Sequence, residues 1–156
     1  MTAASATAFA ILVILAADSV YARAAAQLSP ALPVEAVSGE VRIPVTELDD
    51  GNLHRFSIER GVESVRFIVM KKPDGTLATA LDACQLCGPM GYYQDGTNVI
   101  CKHCGAAIFL PSIGQPGVCN PIPVDSRIEG GELVISVGGF FSSAAEPGVS
   151  DVATEQ

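Results

Sequence analysis

Residues 80–123 read ALDACQLCGPMGYYQDGTNVICKHCGAAIFLPSIGQPGVCNPIP and contain all five cysteines of the chain. Cys84 and Cys87 form one Cys-x-x-Cys pair, and Cys101 and Cys104 form a second pair after thirteen intervening residues. A glycine follows each pair and permits the positive φ that a tight turn behind two metal-binding thiolates requires. The spacing is close to that of a zinc ribbon, so the stretch predicts two facing knuckles that together offer four sulfur ligands.

The spacing alone leaves the identity of the metal open. A tetrahedron of four thiolates suits zinc, a single iron ion or an iron-sulfur cluster. Two disulfides are the alternative in an oxidising compartment, although a Cys-x-x-Cys loop is short for an unstrained structural disulfide. We therefore predict a metal or cluster site whose ligands are Cys84, Cys87, Cys101 and Cys104.

Four further residues lie close to these pairs in the sequence. Cys119 stands in a proline- and glycine-rich loop, GQPGVCNPIP, of the kind that positions a functional group. We predict Cys119 near the metal as an additional or exchangeable ligand, and a buried free thiol is the alternative. His103 should point away from the cage as a surface histidine, with contact to the ligands as the alternative. Tyr92 and Tyr93 either shield the centre from water or pack in the core.

Most of the remaining chain has the period-two alternation of β-strands. Alternating apolar residues occupy 41–45, 54–58 and 65–69, and further strands are predicted at 77–81, 107–110 and 133–137. No helical period occurs after the N-terminal segment. We predict a mainly β fold, a small antiparallel β-sandwich or open barrel with a zinc-ribbon-like double knuckle, preceded by one N-terminal hydrophobic helix. His54 lies on an apolar face and is predicted to be a half-buried histidine rather than a ligand.

The N-terminal segment is strongly apolar, with residues 3–17 reading AASATAFAILVILAA. This is about the length of a signal-peptide core and shorter than the roughly 20 residues of a spanning helix. No Lys or Arg precedes the run, which favours a membrane anchor over a cleaved signal. The predicted organisation is a hydrophobic anchor or signal segment (1–26), a linker (27–39), an extracytoplasmic β metal-binding domain (40–138) and a disordered tail (139–156).

Charge and motif content exclude several function classes. The formal net charge is −8, and the sequence has no basic stripe, so nucleic-acid binding is disfavoured. The sequence also contains no pattern typical of a Ser-His-Asp triad, a phosphate-binding loop or a catalytic pair of carboxylates, any of which would indicate hydrolysis or group transfer. The sequence therefore favours an electron-transfer or metal-binding protein over a catalyst.

Several segments carry a resemblance to a known family. The strings VRIPVTELDDGNLHRF, VRFIV, DGTLATALDACQLCG, GYYQDGTNVICKHCGAAI and CNPIP resemble the FtrD-like family, bacterial membrane proteins described as containing iron-sulfur. The resemblance covers most of residues 31–137 and is most specific in the cysteine segment. It implies that Cys84, Cys87, Cys101 and Cys104 ligate an iron-sulfur centre.

The resemblance also implies a cellular role. A protein of this kind is expected to be membrane-anchored, to face the periplasm or cell exterior, and to act as a redox or iron-handling accessory of a ferrous iron permease complex. Two alternatives follow from the residues themselves. One is a structural zinc-ribbon module that docks a membrane partner, and the other is a carrier of copper or iron that uses Cys119 with a pair of knuckle thiols.

Overall fold

The computed structural model describes residues 11–14, 17, 18, 20, 21, 24, 25 and 28–144. From residue 28 onward the chain forms short strands, two single-turn 3-10 helices and one α-helix. The strands are β1 (Leu32–Pro33), β2 (Glu40–Pro44), β3 (Leu53–Arg60), β4 (Glu63–Lys71), β5 (Leu77–Leu81), β6 (Tyr92–Asp95), β7 (Asn98–Cys101), β8 (Ala107–Ile108), β9 (Ser126–Glu129) and β10 (Glu132–Ser136). The 3-10 helices are Val45–Glu47 and Leu110–Ser112, and helix α1 is Val137–Ala144.

The strands form three sheets with the orders β1-β3-β4-β5, β2-β10-β9 and β6-β7-β8. Neighbouring strands are antiparallel, except that β1 runs parallel to β3. The predicted mainly β fold of antiparallel sheets is therefore confirmed. Within the described residues no sheet closes into a barrel; instead the three sheets are layered around two hydrophobic cores.

Strand β4 lies between the two cores and contributes side chains to both. Its side chains alternate between the two faces of the strand, so Phe67 and Val69 enter the core formed with the β2-β10-β9 sheet. Ile68 and Met70 enter the other core, formed with the β6-β7-β8 sheet. All four side chains are buried, and this second core is the one that contains the cysteines.

Helix α1 occupies the start of the segment predicted as a tail, and residues 145–156 of that segment lie outside the described residues. A disordered segment was expected from residue 139, because the residues after Phe141 have no apolar periodicity. The structure instead shows a helix from Val137 to Ala144. Phe140 is fully buried, and its ring centroid lies 4.6 Å from that of Phe67. Burial of this ring stabilises the helix despite its low intrinsic propensity.

Shortening the buried ring should therefore destabilise the domain measurably. We expect Phe140→Leu to lower the free energy of unfolding by about 1–2 kcal/mol, since leucine retains much of the apolar volume but leaves a small void. Urea denaturation followed by circular dichroism measures this. Phe109→Leu is the matched control because Phe109 is 73% exposed, and an equal loss in both variants would contradict the packing of α1.

The predicted N-terminal hydrophobic helix is not supported by the described residues. Much of residues 1–26 lies outside them, and only short helical stretches such as residues 11–14 are described. In the part of the chain that the structure describes, no helix is both long and apolar enough to cross a membrane. Within the predicted linker, β1 joins the edge of the first sheet, where Leu32 pairs with Phe56.

Candidate metal centre

Each Cys-x-x-Cys pair forms a closed backbone turn. In the first turn the N–H of Gly88 donates to the carbonyl of Cys84 at 2.9 Å, and in the second the N–H of Gly105 donates to the carbonyl of Cys101 at 3.0 Å. Both glycines have positive φ, +63° and +71°, and a Cβ at either position would meet no atom within 4 Å. Backbone conformation rather than lack of space therefore selects glycine here, as the sequence predicts.

Different sheets bring the two knuckles together. The first knuckle follows the end of β5 in the central sheet, and the second follows β7, in which Cys101 pairs with Tyr92 of β6. The sulfur atoms of Cys84, Cys87 and Cys101 all lie within 4.8 Å of one another. Cys104 belongs to the second knuckle but lies outside this set of three sulfurs.

Burial differs across the four cysteines. Cys84 and Cys101 are buried in the second core, Cys87 is half-buried, and Cys104 is exposed. The centre therefore has one side inside the protein and one side at the surface. All five cysteines of the chain are free thiols in this structure.

The thiols influence each other's protonation. Desolvation, followed by hydrogen bonds with Cys101, Cys104 and Cys84, raises the pKa of Cys87 to about 12. The pKa of Cys104 is lowered, first by a hydrogen bond from the backbone of Ala106 and then by its contact with Cys101. Cys104 is thus the more acidic of these two thiols. A bound cation would favour the thiolate form of the whole group, so metal binding would release protons.

Three of the knuckle sulfurs, those of Cys84, Cys87 and Cys101, lie close enough together to hold one metal ion. A metal–sulfur distance of about 2.3 Å in a tetrahedron places the sulfurs about 3.8 Å apart, and the three closest sulfurs are already within 4.8 Å. The N–H of Cys87 donates to the sulfur of Cys84 at 3.2 Å, which is the kind of contact that stabilises a bound thiolate.

Cys119 packs against the core that contains these cysteines. It is half-buried and packs against the same core as Cys84 and Cys101, but it does not belong to the set of three close sulfurs. Its loop is held in place because the Tyr92 hydroxyl donates to the Cys119 carbonyl at 2.8 Å. The side-chain amide of Asn120 also donates to the carbonyl of Ser112 at 3.1 Å. A role for Cys119 as a ligand stays a prediction.

The other aromatic and histidine residues divide between surface and core. Tyr92 is buried in the core that contains the cysteines, and Tyr93 is half-buried. His103 is exposed, in agreement with the predicted surface position. His54 is half-buried, and its Nε2 atom lies 2.8 Å from Oδ1 of Asp50, away from the cysteines in sequence and outside their cluster.

The contacts of Asp50 predict a pH effect on stability. Hydrogen bonds from the backbone and side chain of Asn52, and then from His54, lower the pKa of Asp50 to about 2. A pKa that is lower in the folded state than its unfolded value of about 3.9 stabilises the fold above that value. This contribution is lost as the pH falls from about 4 towards 2. We expect Asp50→Asn to show a weaker loss of stability over this range in urea titrations, and an unchanged slope would contradict it.

Sequence reasoning missed Asp82, the buried carboxylate that ties the first knuckle to the sheet. Asp82 is 1% exposed and accepts hydrogen bonds from Arg55 Nη2 at 2.9 Å and from the backbone N–H of Tyr92 at 2.7 Å. A Cβ on Gly91 would lie 2.7 Å from its carboxylate, so the chain passes very close to this residue. The available signal was a carboxylate inside an apolar run, two residues before Cys84.

Together, fold and site define a mainly β protein with a cluster of cysteine thiols that extends from a buried core to the surface. A family model described as "Membrane iron-sulfur containing protein FtrD-like" matches residues 48–143. The chain therefore belongs to the FtrD-like family, as the resemblance predicted. No curated protein and no solved structure matches the chain.

Proposed function

We propose that this chain is an accessory of a ferrous iron uptake system that uses a thiolate-bound iron centre to exchange electrons or iron. The observation that carries the proposal is the convergence of the Cys84, Cys87 and Cys101 sulfurs within 4.8 Å of one another. The family description as membrane iron-sulfur protein supports iron over other metals. The resemblance to accessories of iron permeases supports the setting.

The four knuckle cysteines have complementary tasks in this proposal. Cys84 and Cys101 would hold the metal from inside the core, whereas the exposed Cys104 would bring the centre to the surface. When bound, iron supplies a one-electron couple between its ferric and ferrous forms. Four protein sulfurs leave no open position for a substrate, so such a centre suits electron transfer better than catalysis at the metal.

The family resemblance also supports a proposal for the partner and the location of this protein. We infer that the protein is anchored at the membrane with its cysteine centre facing the periplasm or cell exterior, next to a ferrous iron permease complex. One electron would pass between the centre and an iron ion at the permease, with the permease iron oxidised when the centre is reduced. No bond is formed or broken in this exchange.

A structural zinc site is the second candidate. It is favoured by the two knuckles, each closed by a glycine with positive φ, because zinc ribbons use the same turn. In that case the metal would stabilise the fold, and the β-domain would dock a membrane partner. A copper carrier that uses Cys119 is a third candidate, supported by the position of Cys119 next to the same core.

Metal analysis of the full chain distinguishes these functions. We would purify the protein from its native membrane without oxygen and measure iron, zinc, copper, acid-labile sulfide and the optical spectrum. Iron with visible absorption is the expected result, and the amount of sulfide separates a single iron ion from a cluster. Stoichiometric zinc without colour would contradict electron transfer and support the structural module, and copper bound with Cys119 would support the carrier.

The link to iron uptake has its own test. Cells that lack this protein should accumulate less radioactive iron from a ferrous supply than cells that contain it. Restoration by the wild-type chain, and not by Cys101→Ser, would support a role of the centre. Equal restoration by both would overturn that role, whatever metal the purified protein contains.

A further inference from the structure

A cavity with a volume of about 380 Å³ lies beside the first knuckle. Strand β4 starts at Glu63, but its pairing with β5 begins only at Phe67, opposite Leu81. The start of β4 therefore extends past the end of β5, and the cavity lies in the space between them. Its lining residues come from the start of β4, from the end of β5 with the two residues that follow, and from Pro89 after the knuckle. The volume is within the range of about 300–1,000 Å³ that is typical of small-molecule sites.

Arg66 gives this cavity a positive charge. Its Nη2 atom donates to the carbonyl of Pro89, and its Nε atom lies 3.8 Å from Oδ2 of Asp82. The same carboxylate oxygen accepts hydrogen bonds from Nε and Nη2 of Arg55 at 3.2 and 2.9 Å, so two guanidinium groups share one carboxylate. The side chain of Arg66 is 42% exposed, and a guanidinium has five N–H donors. Arg66 can therefore bind a further carboxylate while it keeps its contact with Pro89.

The other walls of the cavity are mainly apolar and consist of Val65, Leu81, Ala83 and Pro89. Such walls suit a carbon skeleton, whereas an inorganic anion would leave them unfilled. On the β4 side the cavity is also lined by Ser64, whose hydroxyl group donates to the carboxylate of Glu59 at 2.7 Å. The negative charge of Glu59 on that side disfavours a second charge on the ligand. The cavity therefore fits a ligand with one carboxylate and an apolar body.

We propose that this cavity binds a small organic monocarboxylate, whose charged group contacts Arg66 and whose apolar body packs against the β4 and β5 walls. A planar guanidinium can bind a carboxylate through two parallel hydrogen bonds. Because Pro89 follows Cys87 by two residues, the bound acid would lie next to the first knuckle. The inference goes beyond the proposed function, since the site is the same whichever metal the cysteines bind.

Butyrate is the probe for this site, and its binding to the full chain would be measured by ligand-observed NMR. We expect a dissociation constant on the order of 1 mM, as is reasonable for a ligand this small with one charge-assisted contact. Butyramide has the same shape without the charge, and inorganic phosphate has charge without the carbon skeleton. Both should bind at least about tenfold more weakly than butyrate. Equal binding of butyramide or of phosphate would overturn the proposed ligand class.

Arg66→Gln should weaken butyrate binding at least about tenfold, because it removes the charge that holds the carboxylate. The matched control is Arg127→Gln, which changes an exposed arginine that already pairs with Glu40 and Glu129. This control should bind butyrate as the wild type does. Equal affinities of Arg66→Gln and the wild type would overturn the proposal.

A second pair of variants decides the question even if Arg66→Gln loosens the knuckle loop. Ser64 is exposed, so Ser64→Glu adds a carboxylate beside the cavity and leaves Arg66 in place. It should weaken butyrate binding at least about fivefold by repulsion and by competition for Arg66, whereas Ser64→Gln, of the same size, should bind within about twofold of the wild type. Equal affinities in this pair, or no binding to the wild type, would overturn the site. Neither result would change the metal content, which tests the proposed function separately.

Discussion

Cys101→Ser should abolish metal binding and unfold the β6-β7-β8 sheet. Cys101 is 2% exposed and belongs to both the sulfur group and the second core. The free energy of metal binding at small thiolate sites is on the order of 10 kcal/mol and acts as folding free energy. We expect less than a tenth of the wild-type metal content, measured by mass spectrometry of metals, and a large fall in the melting temperature.

Cys119→Ser is the matched control for this prediction. Cys119 is half-buried beside the same core but lies outside the group of three close sulfurs. We expect this variant to retain its metal and to lose only a small part of its stability. If Cys119→Ser instead loses the metal while Cys101→Ser keeps it, the assignment of the four knuckle cysteines as ligands is wrong.

Asp82→Ala should have the next largest effect. The side chain of Asp82 is fully buried, and that of its partner Arg55 is only 9% exposed. Removal of the carboxylate leaves a nearly buried guanidinium and the backbone N–H of Tyr92 without their acceptor. Breaking a buried ion pair in this way costs about 3–5 kcal/mol, and chemical denaturation of the metal-loaded protein measures it.

A surface ion pair provides the comparison. Asp49 forms an ion pair with Lys71, but its side chain is 57% exposed. We expect Asp49→Ala to cost less than about 1 kcal/mol, because water and salt screen such pairs. Similar losses in Asp82→Ala and Asp49→Ala would show that Asp82 is not the buried connection between the first knuckle and the central sheet.

Local features of the sequence were sufficient for the knuckles. The turn that closes Cys84 to Gly88 depends on the spacing of two cysteines and on one glycine, all within five residues. The alternation in β3 and β4 likewise predicts strands, because a side chain's face depends on its position in the strand. These parts of the fold could be predicted because their causes are short-range.

Contacts between distant segments were not predictable in the same way. Asp82 and Arg55 are separated by 27 residues, and no local pattern indicates that they form a pair. Helix α1 was not predicted because its residues show no helical period, and its stabilising contact is with Phe67, on another element. In both cases the deciding contact is made between elements that are distant in the sequence, and it overrides or lies beyond any local preference. The exposure of Cys104 and the burial of Cys84 also depend on this packing.

The position of β4 between two cores has a consequence for how the protein loses its structure. Since Phe67 and Ile68 are neighbours in one strand but belong to different cores, neither core can come apart without disturbing the strand that supports the other. Removing the metal should therefore accelerate hydrogen exchange at backbone amides of β10, which lies in the sheet that carries neither knuckle. Loss of the metal would then raise the exchange rates across the whole domain together, as expected when the domain opens as one cooperative unit.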